Sequence, residues 1–426
     1  VHSNQAKVKG RDVFANGTHA IDQNSQYAKC HYARVDLPKA SEMSGAGSDS
    51  IWMDENTGGM IDDPGEKNKE EIKNAETPNY VDGTWTDCTT KNISDMALTF
   101  VAYEEGVAEV NGETYRSIQS AVDSLKNVEA ADEVPVIRLQ QDSRENVTIP
   151  EGIQVKLDLN GKTLRGLTSS VIRVEPNAKL TIQDSSGSKE GSIQDGRGTL
   201  SRCNSNQEKL YGGGLFVEGT VVLESGTITN NKANYGSAVY ICDGGAFEMS
   251  GGKITGNRDG EGAVSVYRNE QNEKGDKGKA VFRMSGGEIS DNGVRGVIVS
   301  GGSEFEMSGG EIRDHKGTGS GAGVYLGRYA HFTMTGGEIT RNTTSSTTGG
   351  AGIFAVEFAR LDLSGGEIIG NQNTALEARG AGIYYSTNQA TAYLMLKGTK
   401  MQGNTSGAHA QDIYLCPNAN VKYLQA

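Results

Sequence analysis

The chain contains no run of about 18 apolar residues, so no transmembrane helix is expected. It also lacks an excess of basic charge. A formal net charge of −13 argues against nucleic acid and anionic membranes as partners, because both attract basic patches. The five cysteines (Cys30, Cys88, Cys203, Cys242, Cys416) are odd in number and widely spaced. That excludes a paired zinc motif; Cys30 and Cys88 could form a disulfide, and free buried thiols are the simpler expectation. GxSxG, P-loop, HExxH and EF-hand words are all missing. The first residue is Val, from which we expect that a leader or pro-segment precedes the chain.

What is abundant is glycine, 58 of 426 residues, without the period of collagen. Its distribution breaks near residue 106: nine glycines lie at or before that point and 49 after it. Both tryptophans (Trp52, Trp85) and three of the six histidines fall before the break. No proline lies between Pro176 and Pro417. We therefore expect two regions. Residues 1–106 read as irregular and loop-rich, with a short helix over Glu66–Glu76. Near the start of residues 107–426, YRSIQSAVDSL sets Ile118, Ala121, Val122 and Leu125 at helical spacing. A lone amphipathic helix before a β-rich run suits the cover of an open strand stack. Strand alternation follows in VPVIRL and IQVKLDLNGKTL, with Asn160-Gly161 as a tight turn.

From about residue 212 to 411 the chain repeats a word: FEMSGGKITGN, FRMSGGEISDN, FEMSGGEIRDH, FTMTGGEITRN, LDLSGGEIIGN. The Ser or Thr of this word recurs at 225, 250, 285, 308, 335 and 364, at intervals of 25, 35, 23, 27 and 29 residues. A fixed word at a variable interval describes a constant coil carrying variable loops. Alternation predicts three inward columns, one of Val221, Phe247, Phe282, Phe305, Phe332 and Leu361. The second runs through Leu223, Met249, Met284, Met307, Met334 and Leu363, and the third through the isoleucines from Ile228 to Ile368. Three short strands per coil with Gly-Gly at a corner predict an all-β fold, a parallel β-helix with an N-terminal capping helix. A further column, Asn231, Asn257, Asn292, Asn342, Asn371 and Asn404, is expected at a left-handed turn position and could form a hydrogen-bonded ladder. His315 interrupts it.

On these words, residues 107–415 resemble the right-handed parallel β-helix proteins secreted by anaerobic gut bacteria. Among enzymes of that fold the chain is similar to glycoside hydrolase family 136, the lacto-N-biosidases. The resemblance implies a secreted or cell-surface protein acting on host-type oligosaccharides, through an aspartate pair seven residues apart. No two aspartates after residue 106 are seven apart, so no catalytic residue is carried over.

The residues themselves suggest a site. The first strand of each coil presents an outward column of Phe216, Tyr240, Ser265, Ile298, Tyr325, Phe354 and Tyr384. Such rings could line a glycan groove or form a sheet-stabilising ladder. The column lapses at Ser265 and Ile298, beside the insertion Arg268–Lys279. Around that gap Asp259, Glu261 and Asp243 are the candidate catalytic carboxyls, with Tyr240, Tyr267, Arg268, Arg295 and Tyr325 as candidate substrate contacts. Asp259 and Glu261 would lie about 6–7 Å apart on extended chain, near the inverting-glycosidase range. The outward carboxylate row Glu288, Glu311, Glu338 and Glu367 could attract Ca²⁺, although Lys253 and Lys400 at its ends suggest simple charge balance. No other cofactor or metal is expected. A glycoside hydrolase is the leading expectation; a non-catalytic glycan-binding or adhesive module is the rival, and a partner subunit or further domains could complete either.

Overall fold

In the computed structural model the described residues are 106–426, without 128–132, 202–207, 268–277, 388–390, 408, 418 and 426, together with the backbone of seven short strands between residues 13 and 98. Two compact units divide the chain, Val1–Glu105 and Gly106–Ala426. In the first, the strands pair antiparallel, as in Tyr32–Asp36 with Ser50–Asp54. The helix expected over Glu66–Glu76 lies outside the described residues.

The second unit is nearly all β, with one α-helix among its described residues. Its strands fall mainly into sheets of ten, 21 and five strands. From Leu215 onward most repeats supply one strand to the ten-stranded sheet and two to the 21-stranded sheet, the two merging into one continuous strand at Glu304–Arg313 and at His331–Thr340, and like residues of successive repeats pair in parallel. Thus Phe247 lies beside Phe282, and Phe282 beside Phe305. The three inward columns are buried throughout, and one apolar cluster runs from Val107 to Leu396. The phenylalanine rings of successive repeats stack at 5.3, 4.7 and 4.7 Å from Phe247 to Phe332.

The Gly-Gly corner follows from that stacking. At Gly309 a Cβ would run into the carbonyl oxygen of Ser285 one repeat earlier. At Gly310, where φ is +83°, it would lie 2.6 Å from the Met284 Cε. The methionine column therefore rests on the next repeat's bare Cα, and the chain can turn there without a side chain in the way.

The asparagine ladder also forms, with one correction. The ladder residues do not occupy the left-handed position; the residue before each one does. These are Asn230, Gly256, Asp291, Asp314, Arg341, Gly370 and Gly403, with φ between 45° and 68°. That turn aims the next side chain into the interior. There Asn257 Oδ1 accepts from the Asn231 backbone N and Nδ2, both at 3.0 Å, while its own Nδ2 donates to Ile228 O at 2.9 Å. His315 is not a break but a substitute. Its Nε2 donates to Ile289 O at 3.1 Å, the bond an asparagine Nδ2 makes elsewhere, and its Nδ1 is buried without a hydrogen-bond partner.

The helix α1 (Ile118–Ser124) buries Ile118, Ala121 and Val122. Ser117 caps it, and both Glu145 oxygens accept from the first-turn backbone N–H groups of Ile118 and Gln119. The Gln119 side chain then pairs with the backbone of the edge strand Val147–Ile149, accepting from Thr148 N at 2.7 Å and donating to Thr148 O at 3.1 Å. Strand Ala108–Val110 lies antiparallel on Val136–Leu139. At this end the edges are blunted as a stack of strands requires.

On the outer surface, three of the four carboxylates in the row are paired with cations. Arg313 reaches Glu288 at 2.6 Å and Glu311 at 3.1 Å, and Lys400 reaches Glu367 at 3.2 Å.

Two measurements check this architecture. Phe332→Ala removes a fully buried ring and should cost about 3–5 kcal/mol in denaturant unfolding; an unchanged midpoint would place Phe332 at the surface. For His315, burial drives the imidazole pKa from 6.5 down to about 4. Between those values the unfolded chain takes up a proton that the folded chain refuses, so stability is full above about pH 6.5 and falls as pH drops towards 4. The full loss is about 3 kcal/mol. His315→Asn should flatten the stability profile across that window; a profile as steep as the parent's would contradict the assignment.

Candidate functional site

The outward column of the ten-stranded sheet pairs in the expected order and extends by one ring, Tyr414. Its two halves differ. In the first, Tyr240 is wholly buried and Phe216 nearly so. This corrects the expectation of an open stacking ring at Tyr240. The cause is a β-hairpin, Thr199–Ser201 paired with Lys209–Tyr211, that brings Tyr211 over the column. Tyr211 sits 4.8 Å from Tyr240 and 5.3 Å from Tyr235, ring centre to ring centre. Tyr267 packs against the same cluster, half-buried. Burial, then the nearby charge of Glu261, raises the Tyr235 pKa.

Of the expected carboxyls, Glu261 bears on Tyr235 in this cluster. Asp259 is exposed and pairs with Lys232 at 3.3 Å. The chain is not extended at this point, since Asp259 and Gly260 both have positive φ, 66° and 93°, so the separation expected from extended chain does not apply. Asp243 is half-buried just beyond the strand Val239–Ile241. Arg268 lies outside the described residues.

Three expected residues do come together, in the second half. The Arg295 guanidinium lies 5.1 Å above the Tyr325 ring, with Nη1 donating to Glu261 O at 3.4 Å. Burial raises the Tyr325 pKa, and Glu357 and Glu261 push it further against Arg295. From Tyr325 the rings continue through Phe354, Tyr384 and Tyr414 at spacings of 5.6, 4.9 and 5.0 Å. Their planes lie within 26° of parallel, so neighbours cover one another's faces; Phe354 is buried, and the edges that remain accessible are those of the half-buried Tyr325, Tyr384 and Tyr414. The outer faces of the end rings are taken by Arg295 and Arg379, the latter 5.1 Å from the Tyr414 centroid. This half is thus a ladder with accessible edges rather than a flat platform for sugar stacking.

A cleft of about 720 Å³ opens where the ladder meets the loops that precede its strands, lined by Thr347, Thr348, Leu376, Glu377, Arg379, Tyr384 and Tyr414. Gly380, with φ +59°, lets the loop press against the last ring, since a Cβ there would lie 2.8 Å from the Tyr414 Cβ. Leu376 is 94% exposed at the lip. Arg379 Nη1 donates to the Tyr414 hydroxyl at 2.9 Å. After the strands, the opposite border carries Tyr329 and Phe358, stacked at 4.5 Å and both held at positive φ (55° and 70°). That conformation is costly for bulky residues.

Sequence reasoning missed the loop residues of this cleft. The available signal was an apolar Leu376 just before the charged Glu377 and Arg379 in a loop of variable length, TALEARG. Among the described residues no group of three or more His, Cys, Asp or Glu could hold a metal ion, and no helix is long and apolar enough to cross a membrane. Comparison with protein-family models, with curated proteins and with solved structures gives no match.

The contrast between Tyr240 and Asp259 is measurable. Tyr240→Ala should cost about 3–5 kcal/mol by leaving a cavity and should speed proteolysis between residues 199 and 211. Asp259→Asn should change stability by less than about 1 kcal/mol, the scale of an exposed ion pair. The reverse order in thermal unfolding would restore Tyr240 to the surface.

Proposed function

We propose that residues 107–426 wind as a right-handed parallel β-helix of three strands per coil, and that the chain is a secreted or cell-surface protein that binds an oligosaccharide in the cleft beside Tyr384 and Tyr414. Support for the coil comes from the in-register repeats that return to the same sheets. Support for the ligand class comes from one observation. The cleft combines an exposed apolar lip (Leu376) and aromatic edges with hydroxyl, carboxylate and guanidinium groups. Sugars present C–H patches and hydroxyls side by side, and sites that hold small molecules mix apolar walls with a few polar groups in this way. The cleft rests on rigid strands while its lip is formed by a loop, the usual division between scaffold and binding residues.

Binding is favoured over hydrolysis because Glu377 is the only carboxylate in the lining among the described residues, and glycoside cleavage uses two. A hydrolytic reading, of the kind found in the lacto-N-biosidases the repeats resemble, is favoured by a different observation. Glu261 and Glu357 both bear on Tyr325.

Leu376→Asp tests the first reading. The residue is so exposed that stability should move by no more than about 0.5 kcal/mol, yet a charge at the lip should weaken binding on an oligosaccharide array at least about tenfold. No binding by the parent chain, or equal binding by the variant, would overturn it. Product analysis of every bound glycan decides the second reading: shorter products that vanish with Glu261→Gln support hydrolysis, and intact glycans exclude it.

A further inference from the structure

Glu377 and Arg379 stand two residues apart in one loop and both line the cleft, yet no ion pair joins them among the described residues. Glu377 makes no hydrogen bond or ion pair there either. Arg379 lies over the Tyr414 ring and uses one guanidinium nitrogen on its hydroxyl, while the residue as a whole stays exposed and its other N–H groups make no hydrogen bond among the described residues. The cleft therefore offers a group that only donates beside a group that only accepts, since a guanidinium has five N–H donors and an ionised carboxylate none.

The ligand that satisfies both must donate at one point and accept at another nearby. A hydroxyl does both, and adjacent hydroxyls on a sugar ring supply the two roles at neighbouring positions. Hydrogen bonds to ionised partners are the strong ones, so two of them would dominate recognition. A carboxylate-bearing sugar fits worse. Its attraction to Arg379 is opposed by Glu377 in the same loop, and the whole chain is anionic at −13. The hydroxyls of Thr347 and Thr348 on the facing loop add contacts that take either role.

Resting on the reading of this cleft as a glycan site, we infer that its ligand is a neutral oligosaccharide held through adjacent ring hydroxyls, one accepting from Arg379 and one donating to Glu377.

The test uses the full chain and an array of neutral hexose and N-acetylhexosamine oligosaccharides printed beside uronic-acid and sialylated ones. The tightest neutral glycan is then titrated by calorimetry at low and high salt. Binding confined to neutral glycans is expected, with an affinity nearly independent of salt, because no net charge is neutralised on binding. Glu377→Gln and Arg379→Gln should each weaken it at least about tenfold by removing a charge-assisted bond. Glu377→Gln is nearly isosteric at an exposed position, so folding is not at stake. Preference for acidic glycans, an affinity that falls steeply with salt, or unchanged binding by Glu377→Gln would overturn the inference while leaving the cleft as a glycan site. No binding to any glycan by the parent chain would overturn both.

Discussion

Everything in the second unit depends on one constraint: parallel, in-register pairing sets each residue directly against its own counterpart in the next repeat, about 4.8 Å away. A position survives only if its side chain tolerates a copy of itself at that distance. Phenylalanine and isoleucine do, and their columns form the core. Asparagine does because its amide carries a donor and an acceptor at once, so each Oδ1 can take the Nδ2 of the previous one. Glutamate does so only at a cost: Glu288, Glu311, Glu338 and Glu367 stand directly against one another, and Arg313 beside the row and Lys400 at its end offset part of the repulsion. The corner glycines obey the same rule, because the space over each Cα belongs to the previous repeat's Met.

This constraint also governs the surface. Rings stacked at repeat distance cover one another, so an aromatic column on the outside of such a sheet stabilises the sheet and leaves mainly its edges for a ligand. New chemistry has to enter where repetition stops, in the loops whose lengths vary between repeats. The cleft sits where that reasoning places it, at the junction of the ladder with loop residues 347–348 and 376–379. The hairpin over Tyr240 is the same principle used for the opposite end, since a variable excursion folds back and buries the column it leaves.

The repeating part of the structure was legible in the sequence because periodicity reports which side of a strand a residue occupies. Phe332, Met334 and Ile339 were assigned inward from alternation alone, and all are fully buried. What periodicity does not carry is the path of a segment that does not repeat. Nothing in the spacing of Thr199 and Tyr211 says that their strands pair and set Tyr211 against Phe216 and Tyr240. The same blindness misplaced Asp259: two acids two residues apart suggested a catalytic pair on extended chain, but positive φ at Asp259 and Gly260 bends the backbone. Gly260 is obligatory at that bend because a Cβ would collide with the Ala233 carbonyl, a contact with the previous repeat that a linear reading does not see. The asparagine column lay between these cases. Its existence was readable, but the left-handed residue proved to be the one before it.

His315 shows how far the constraint can bend. A ladder built from self-complementary amides accepts one imidazole because the Nε2–H copies the bond that matters most, the one back to the previous repeat's isoleucine carbonyl. The copy is incomplete, since the imidazole has no amide oxygen and its Nδ1 is left buried without a partner. In an apolar column a mismatched side chain loses some contact area; in the amide column it strands a polar atom, whose desolvation is then uncompensated. The ladder is therefore the part of the core least tolerant of drift, even though its members are among the most polar residues in it. That inverts the usual expectation that polar positions are the variable ones. It follows from stacking alone, because only in a repeat does one residue's acceptor have to be the next residue's donor.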